Sequence, residues 1–154
     1  MNVADTLDQL LSIELIKRLK ASYFRCVDSQ DWLALADLFT QDARFDMRDA
    51  SGLQHDPKAL CEGRANIIAY LREALAGVTT MHHGHMPEIE MISQDSAVGI
   101  WAMEDVLHWS EESDSPLRFL QGYGHYHDEY RRVAGRWQLH SCRISRLFVE
   151  SQER

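Results

Sequence analysis

Cysteine is scarce. The three present, Cys26, Cys61 and Cys142, are scattered, odd in number and without a CxxC pair, so neither a zinc site nor a disulfide framework is expected, and reduced thiols are the simplest state. Long apolar runs are missing as well. No stretch approaches the roughly 18 consecutive apolar residues of a membrane span, and residues 1–20 carry acids and lysines among their apolar positions, unlike an export leader. The expectation is a cytoplasmic protein with no membrane partner. Cations are in deficit: 16 Lys and Arg face 24 Asp and Glu, for a net charge of −8. Phosphate binding needs clustered Lys and Arg, so the balance argues against a nucleic-acid partner. Internal repeats, low-complexity tracts and interdomain linkers are also lacking.

What remains is an ordinary globular balance, 45% hydrophobic and 26% charged over 154 residues. That length fits a single domain spanning 1–154, able to bury roughly two-thirds of its unfolded surface and to enclose one small pocket. From Asp5 to Val27, Leu7, Leu10, Leu11, Leu15, Ile16, Leu19, Tyr23 and Val27 recur at helical spacing. Asp31 is placed to cap a second helix with the stripe Trp32, Leu35, Ala36 and Phe39. Ala43, Phe45 and Met47 alternate as a short strand, and Asp56-Pro57 can start a short helical piece. A third helix carries Ile67, Ile68, Leu71 and Leu75 and stops at Gly77.

Beyond residue 88 the apolar period is 2. Strands are expected around Ile89 and Met91, over 97–107, over 117–131 and over 136–149, the last two joined at Ala134-Gly135. Helices first and an antiparallel meander after them make an α+β fold, in which a curved sheet buries one face under helices and leaves an open-mouthed cone for a small apolar ligand.

Between the two halves lies Thr80-Met81-His82-His83-Gly84-His85-Met86-Pro87, with three histidines in four residues. Adjacent strand residues point to opposite faces, so His82 and His83 do not reach one pocket together, which weighs against a metal centre. The His125 and His127 pair shares one strand face but has no evident third ligand. A neutral imidazole both takes and gives a proton near neutral pH, the property needed for eliminating water beside a carbonyl. His82 is the candidate base. Asp105 has the parity of Trp101, Met103 and Leu107 and so belongs to the apolar face. On the last strand, Arg143 shares parity with Trp137 and Leu139, whereas Arg146 needs a bulge to reach the same side.

Tyr23 with Asp28, Asp31-Trp32, Leu38-Phe39-Thr40, Asp42-Ala43, Gly63-Arg64, Thr80-Met81-His82, Gly124 with Tyr126, and Gly135-Arg136-Trp137, in that order, make the chain resemble the SnoaL-like branch of the NTF2-like superfamily. This is a cone-shaped α+β fold, a mixed, mainly antiparallel sheet wrapped around three N-terminal helices, which includes scytalone dehydratase, bile acid 7α-dehydratase and ketosteroid isomerase. The resemblance implies that Tyr23, Asp28, His82 and Asp105 face one another in the cone as catalytic residues, with Arg143 or Arg146 binding substrate. It implies a lyase or isomerase of dehydratase type, needing no metal or organic cofactor, acting on a small steroid-like, aromatic or polyketide-derived carbonyl compound. His82 would remove the proton, Asp28 or Asp105 orient it, Tyr23 polarise oxygen and the Arg hold an anionic group. A homo-oligomer, a trimer rather than a dimer, is the implied assembly. The same fold also serves non-catalytic binding or assembly modules and the small subunits of ring-hydroxylating dioxygenases, so these are the alternatives.

Overall fold

Asn2 starts the first helix: its side chain accepts from the Asp5 backbone N–H while the Asp5 carboxylate accepts from that of Asn2, satisfying two orphan donors at once. In the computed structural model, which describes residues 2–154, this helix, α1, runs Val3–Asp28. Asp31 caps α2 (Trp32–Asp37) by accepting from the Ala34 N–H. Then follow β1 (Phe39–Asp46), β2 (Leu60–Glu62), α3 (Arg64–Ala74), β3 (Val78–Met91), β4 (Ser96–Trp109), β5 (Leu117–Val133) and β6 (Arg136–Glu153). No helix among the described residues is long and apolar enough to cross a membrane.

The strands form one six-stranded sheet in the order β2-β1-β6-β5-β4-β3. All neighbours are antiparallel except β1 and β6, which are parallel, so the sheet is mixed. The helices cover its concave face, with α1 packed against β3 and β6 and α3 against β1. Ile16, Leu35, Ile67 and Leu139 are completely buried between the two layers, each worth about 1.5–3 kcal/mol relative to exposure.

Four expectations are corrected. The apolar stripe of α1 is buried only from Ile16 onward; Leu7, Leu10 and Leu11 are exposed, because the first turns of the helix present a polar face to the sheet, where Asp8 and Ser12 accept from Arg132. Phe39 opens β1 rather than closing α2, and Asp56-Pro57 lies in a turn. The histidine cluster sits inside β3, whose first half is too polar to show alternation, and not ahead of it.

Register is set by single-residue bulges. On β6, Tyr130 opposes Leu139 and Glu129 opposes Ser141, so His140 is the extra residue; Tyr123 opposes Phe148 and Gly124 opposes Arg146, so Leu147 is another. Each extra residue reverses which side chains face the core. Trp137 and Leu139 are buried before the first bulge, Cys142 and Ile144 after it.

A polar network crosses this core. Lys20 and Asp128, both without solvent exposure, meet at 2.7 Å. Asp128 also accepts from the Tyr130 hydroxyl, which accepts in turn from the Trp101 indole N–H. The Lys20 ammonium lies 3.9 Å from the ring centroid of Tyr126, 4.7 Å from that of Tyr23 and 5.3 Å from that of Phe24, so the desolvated cation has both a carboxylate and three aromatic faces as partners.

Candidate active site

A cavity of about 220 Å³ opens on the concave face between α1, α3 and the sheet. Most of its wall is apolar, with Phe45, Tyr70, Leu71, Leu107, Leu120 and Ile144 among the contributors. Its polar lining includes His82, Asp105, Arg146, Ser51 and the tyrosines Tyr23 and Tyr126.

His82 is largely buried and held at three points. Its Nδ1 is 2.6 Å from Asp28 Oδ1, its backbone N–H donates to Asp28 Oδ2 at 3.0 Å, and Phe24 stacks parallel to its ring. Thr80 donates a third hydrogen bond to Asp28. A carboxylate only accepts, so the proton of a neutral imidazole sits on Nδ1 and the Nε2 lone pair is left free. Burial pushes the Asp28 carboxyl up, but the bonds from the His82 ring and amide, and from Thr80, outweigh it and hold the group below the usual carboxylate range. Asp28 can take this post because it is the last residue of α1, where that helix meets β3.

Asp105 is the cross-strand partner of His82, and its Oδ2 stands 4.0 Å from His82 Nε2. It is buried and bound in two-pronged fashion by Arg146, Nη1 to Oδ1 at 2.7 Å and Nη2 to Oδ2 at 2.9 Å. Arg146 Nε donates to the Ala50 carbonyl at 2.7 Å. Desolvation pushes the phenols of Tyr23 and Tyr126 well above their ordinary value, which keeps both as protonated hydrogen-bond donors.

The structure thus gathers Tyr23, His82, Asp105 and Arg146 around one cavity, with Asp28 behind the imidazole. Arg143 is not among them. It is exposed on the convex face, in a groove with Arg44, Arg48 and His127, because the bulge at His140 reverses the parity on which its inward placement rested. Tyr126 is a cavity residue that the sequence pattern alone does not single out. Its signal is the spacing Gly122, Gly124, Tyr126: two residues without side chains followed by a large one on the same strand face, a mark of close approach by neighbouring groups, here Arg146 and the Ser145 backbone. His83 and His85 point away from the cavity, toward Glu104. No group of three His, Cys, Asp or Glu among the described residues is placed to hold a metal ion.

Within this NTF2-like cone an imidazole, a bidentate Asp–Arg pair and two phenols line a single cavity, with a carboxylate behind the imidazole. The chain belongs to the SnoaL-like domain family, whose model matches residues 8–143. It is 25% identical over 137 residues to the protein named probable cyclase FGR4 of Gibberella zeae, covering 87% of this chain and 90% of that one. Among solved structures, a candidate scytalone dehydratase from Novosphingobium aromaticivorans superposes with a TM-score of 0.81 at 19% identity, over 97% of this chain and 93% of the other. The hexachlorocyclohexane dehydrochlorinase LinA-type3 of Novosphingobium barchaimii gives 0.78 at 18% identity, over 96% and 94%. At these identities the two structures are evidence for the fold alone.

Proposed function

We propose that this chain is a cofactor-independent lyase or isomerase of dehydratase type that acts on a small, largely apolar carbonyl compound. The observation that carries the proposal is the 2.6 Å contact between Asp28 and His82 Nδ1, which leaves Nε2 as a free base beside two protonated phenols. Relatives named as a cyclase, a dehydratase and a dehydrochlorinase are in keeping with chemistry that begins by removing a proton.

His82 Nε2 takes the proton from the carbon next to the carbonyl. The C–H electron pair becomes the C=C of an enolate, and the carbonyl π electrons move to oxygen, where the hydroxyl of Tyr23 or Tyr126 donates to the growing charge. Such preorganised donors supply several kcal/mol in a dry site. Asp28 stabilises the imidazolium. In a dehydration, the enolate then re-forms the carbonyl and expels the β-hydroxyl, which leaves as water with the proton from Nε2; in an isomerisation, that proton returns to another carbon of the same molecule. The volume, below the roughly 300–1,000 Å³ usual for drug-sized ligands, favours a substrate of one or two rings.

The test does not require the natural substrate. Small neutral ring ketones in D2O are followed by NMR for exchange of their α-protons. The protein accelerates exchange for part of the panel, and His82→Ala abolishes the acceleration while the circular dichroism spectrum is unchanged. Acceleration that survives in His82→Ala, or no exchange with any ketone, defeats the proposal.

A further inference from the structure

His82 is faced by two carboxylates, Asp28 at Nδ1 and Asp105 at 4.0 Å from Nε2. Two negative charges around one imidazole favour its protonated form, and a protonated imidazole is no base. Arg146 changes that balance. Its guanidinium lies against Asp105 in a bidentate pair that is almost fully buried on both sides, so little water screens it. Four of its five N–H groups are committed to the protein, two to Asp105, one to the Ala50 carbonyl and one, more weakly, to the Met103 sulfur at 3.7 Å, which leaves it poorly placed to hold an anionic group of a ligand.

We infer that Arg146 is a positioning residue for the base: paired with Asp105, it cancels the second carboxylate facing His82 and keeps the imidazole free to accept a proton. This deepens the proton-abstraction reading of the site and rests on it for its significance. The sheet is built around the pair. Gly122 is the cross-strand neighbour of Asp105 on β5, and a Cβ there would stand 2.4 Å from Arg146 Nη1, 2.8 Å from its Cζ and 2.9 Å from Asp105 Oδ1. The bare strand is the corridor through which an arginine on β6 reaches an aspartate on β4. The bulge at Leu147 lies beside it, between the Gly124–Arg146 and Tyr123–Phe148 pairings.

The charged and titratable groups around the imidazole are few enough for a clean test. They are Asp28 and Tyr23 from α1, Asp105 from β4, Tyr126 from β5 and Arg146 from β6, with the Lys20 and Asp128 ion pair behind the two phenols. In the free protein, NMR of the histidine ring protons, with the His82 signal identified by its loss in His82→Gln, follows proton uptake as pH is varied. Arg146→Met moves the His82 midpoint up by about one to three pH units, the usual effect of a nearby unmatched charge. Asp105→Asn, which leaves the guanidinium unmatched, moves it down. Arg146→Met combined with Asp105→Asn returns it to near the original value, and Arg146→Lys, which keeps the cation, shifts it least among the single variants.

A midpoint that stays or falls in Arg146→Met overturns the inference, as does proton uptake by Asp105 in place of His82. Should Arg146→Met fail to fold, the direction of the shift in Asp105→Asn decides: upward or absent refutes it. Because no substrate is present, this experiment can fail while the ketone-exchange test succeeds, and the reverse.

Discussion

Asp28 receives both the backbone N–H and the ring Nδ1 of His82, one on each carboxylate oxygen, so the group that orients the imidazole also fixes the strand that carries it. Asp28→Asn separates the two roles. The amide oxygen still accepts one of the bonds, but the amide nitrogen presents hydrogens and favours the tautomer with its proton on the wrong nitrogen. Turnover falls by about 10⁴, as in hydrolase triads carrying the same change, while the far-ultraviolet circular dichroism spectrum is retained. Turnover within tenfold of the original shows that the dyad does not set the tautomer.

The same carboxylate ties stability to acid. Its folded-state pKa lies below the ordinary value of 3.8, so the folded form binds fewer protons than the unfolded chain as pH falls toward and through that range. The Asp28 contribution is therefore complete above about pH 5 and is lost as pH drops through the folded value. Asp46, whose two oxygens are held by Arg48, shifts in the same direction and adds to the slope. Urea unfolding at pH 7, 5, 4 and 3 is expected to lose stability more gradually below pH 5 in Asp28→Asn than in the original chain. Parallel curves refute the assignment.

Much of this is legible in the sequence, and the exceptions have a common cause. His82 and His83 have to face opposite ways because strand side chains alternate, and Asp105 shares parity with buried Trp101 and Met103; neither inference depends on knowing the partner strand. The choice between Arg143 and Arg146 does depend on it. One extra residue at His140 reverses the faces from there to the next bulge at Leu147, and a bulge of this kind leaves no mark in composition. β3 hides another: Gly84 opposes Met103 and Pro87 opposes Trp101, which brings odd-numbered Ile89 and Met91 to the same core as even-numbered His82. Lys20 is hidden for a different reason. A lysine between apolar helical positions reads as a solvated face, and only the tertiary placement of Asp128 gives it a reason to be buried.

That buried pair makes its own prediction. Lys20→Met leaves the Asp128 carboxylate desolvated without its cation, though still accepting from the Tyr130 hydroxyl, and removing one partner of a buried ion pair costs about 3–5 kcal/mol. In a chain of this size the melting temperature drops by roughly 10 °C. Replacing both residues, Lys20→Met with Asp128→Asn, recovers most of the loss, since no uncompensated charge then remains inside. Thermal melts of the two variants side by side test this; a double variant no more stable than the single one shows that the pair is held for its packing and not its charge.

Gly122 offers the narrowest test of how the site is assembled. Its backbone is ordinary extended strand, so alanine adds no dihedral strain, and the consequence is a methyl group pressed against the Arg146 guanidinium and 2.9 Å from Asp105 Oδ1. The nearest atoms belong to the far end of a flexible side chain, so relief comes from the guanidinium and not from the strand, and the expected stability loss is the about 1–3 kcal/mol typical of overpacking. A crystal structure of Gly122→Ala is expected to show Arg146 displaced from Asp105 with the β4–β5 pairing intact. If the bidentate pair persists in that variant and the melting temperature is unchanged, the absence of a side chain at position 122 has nothing to do with admitting the arginine.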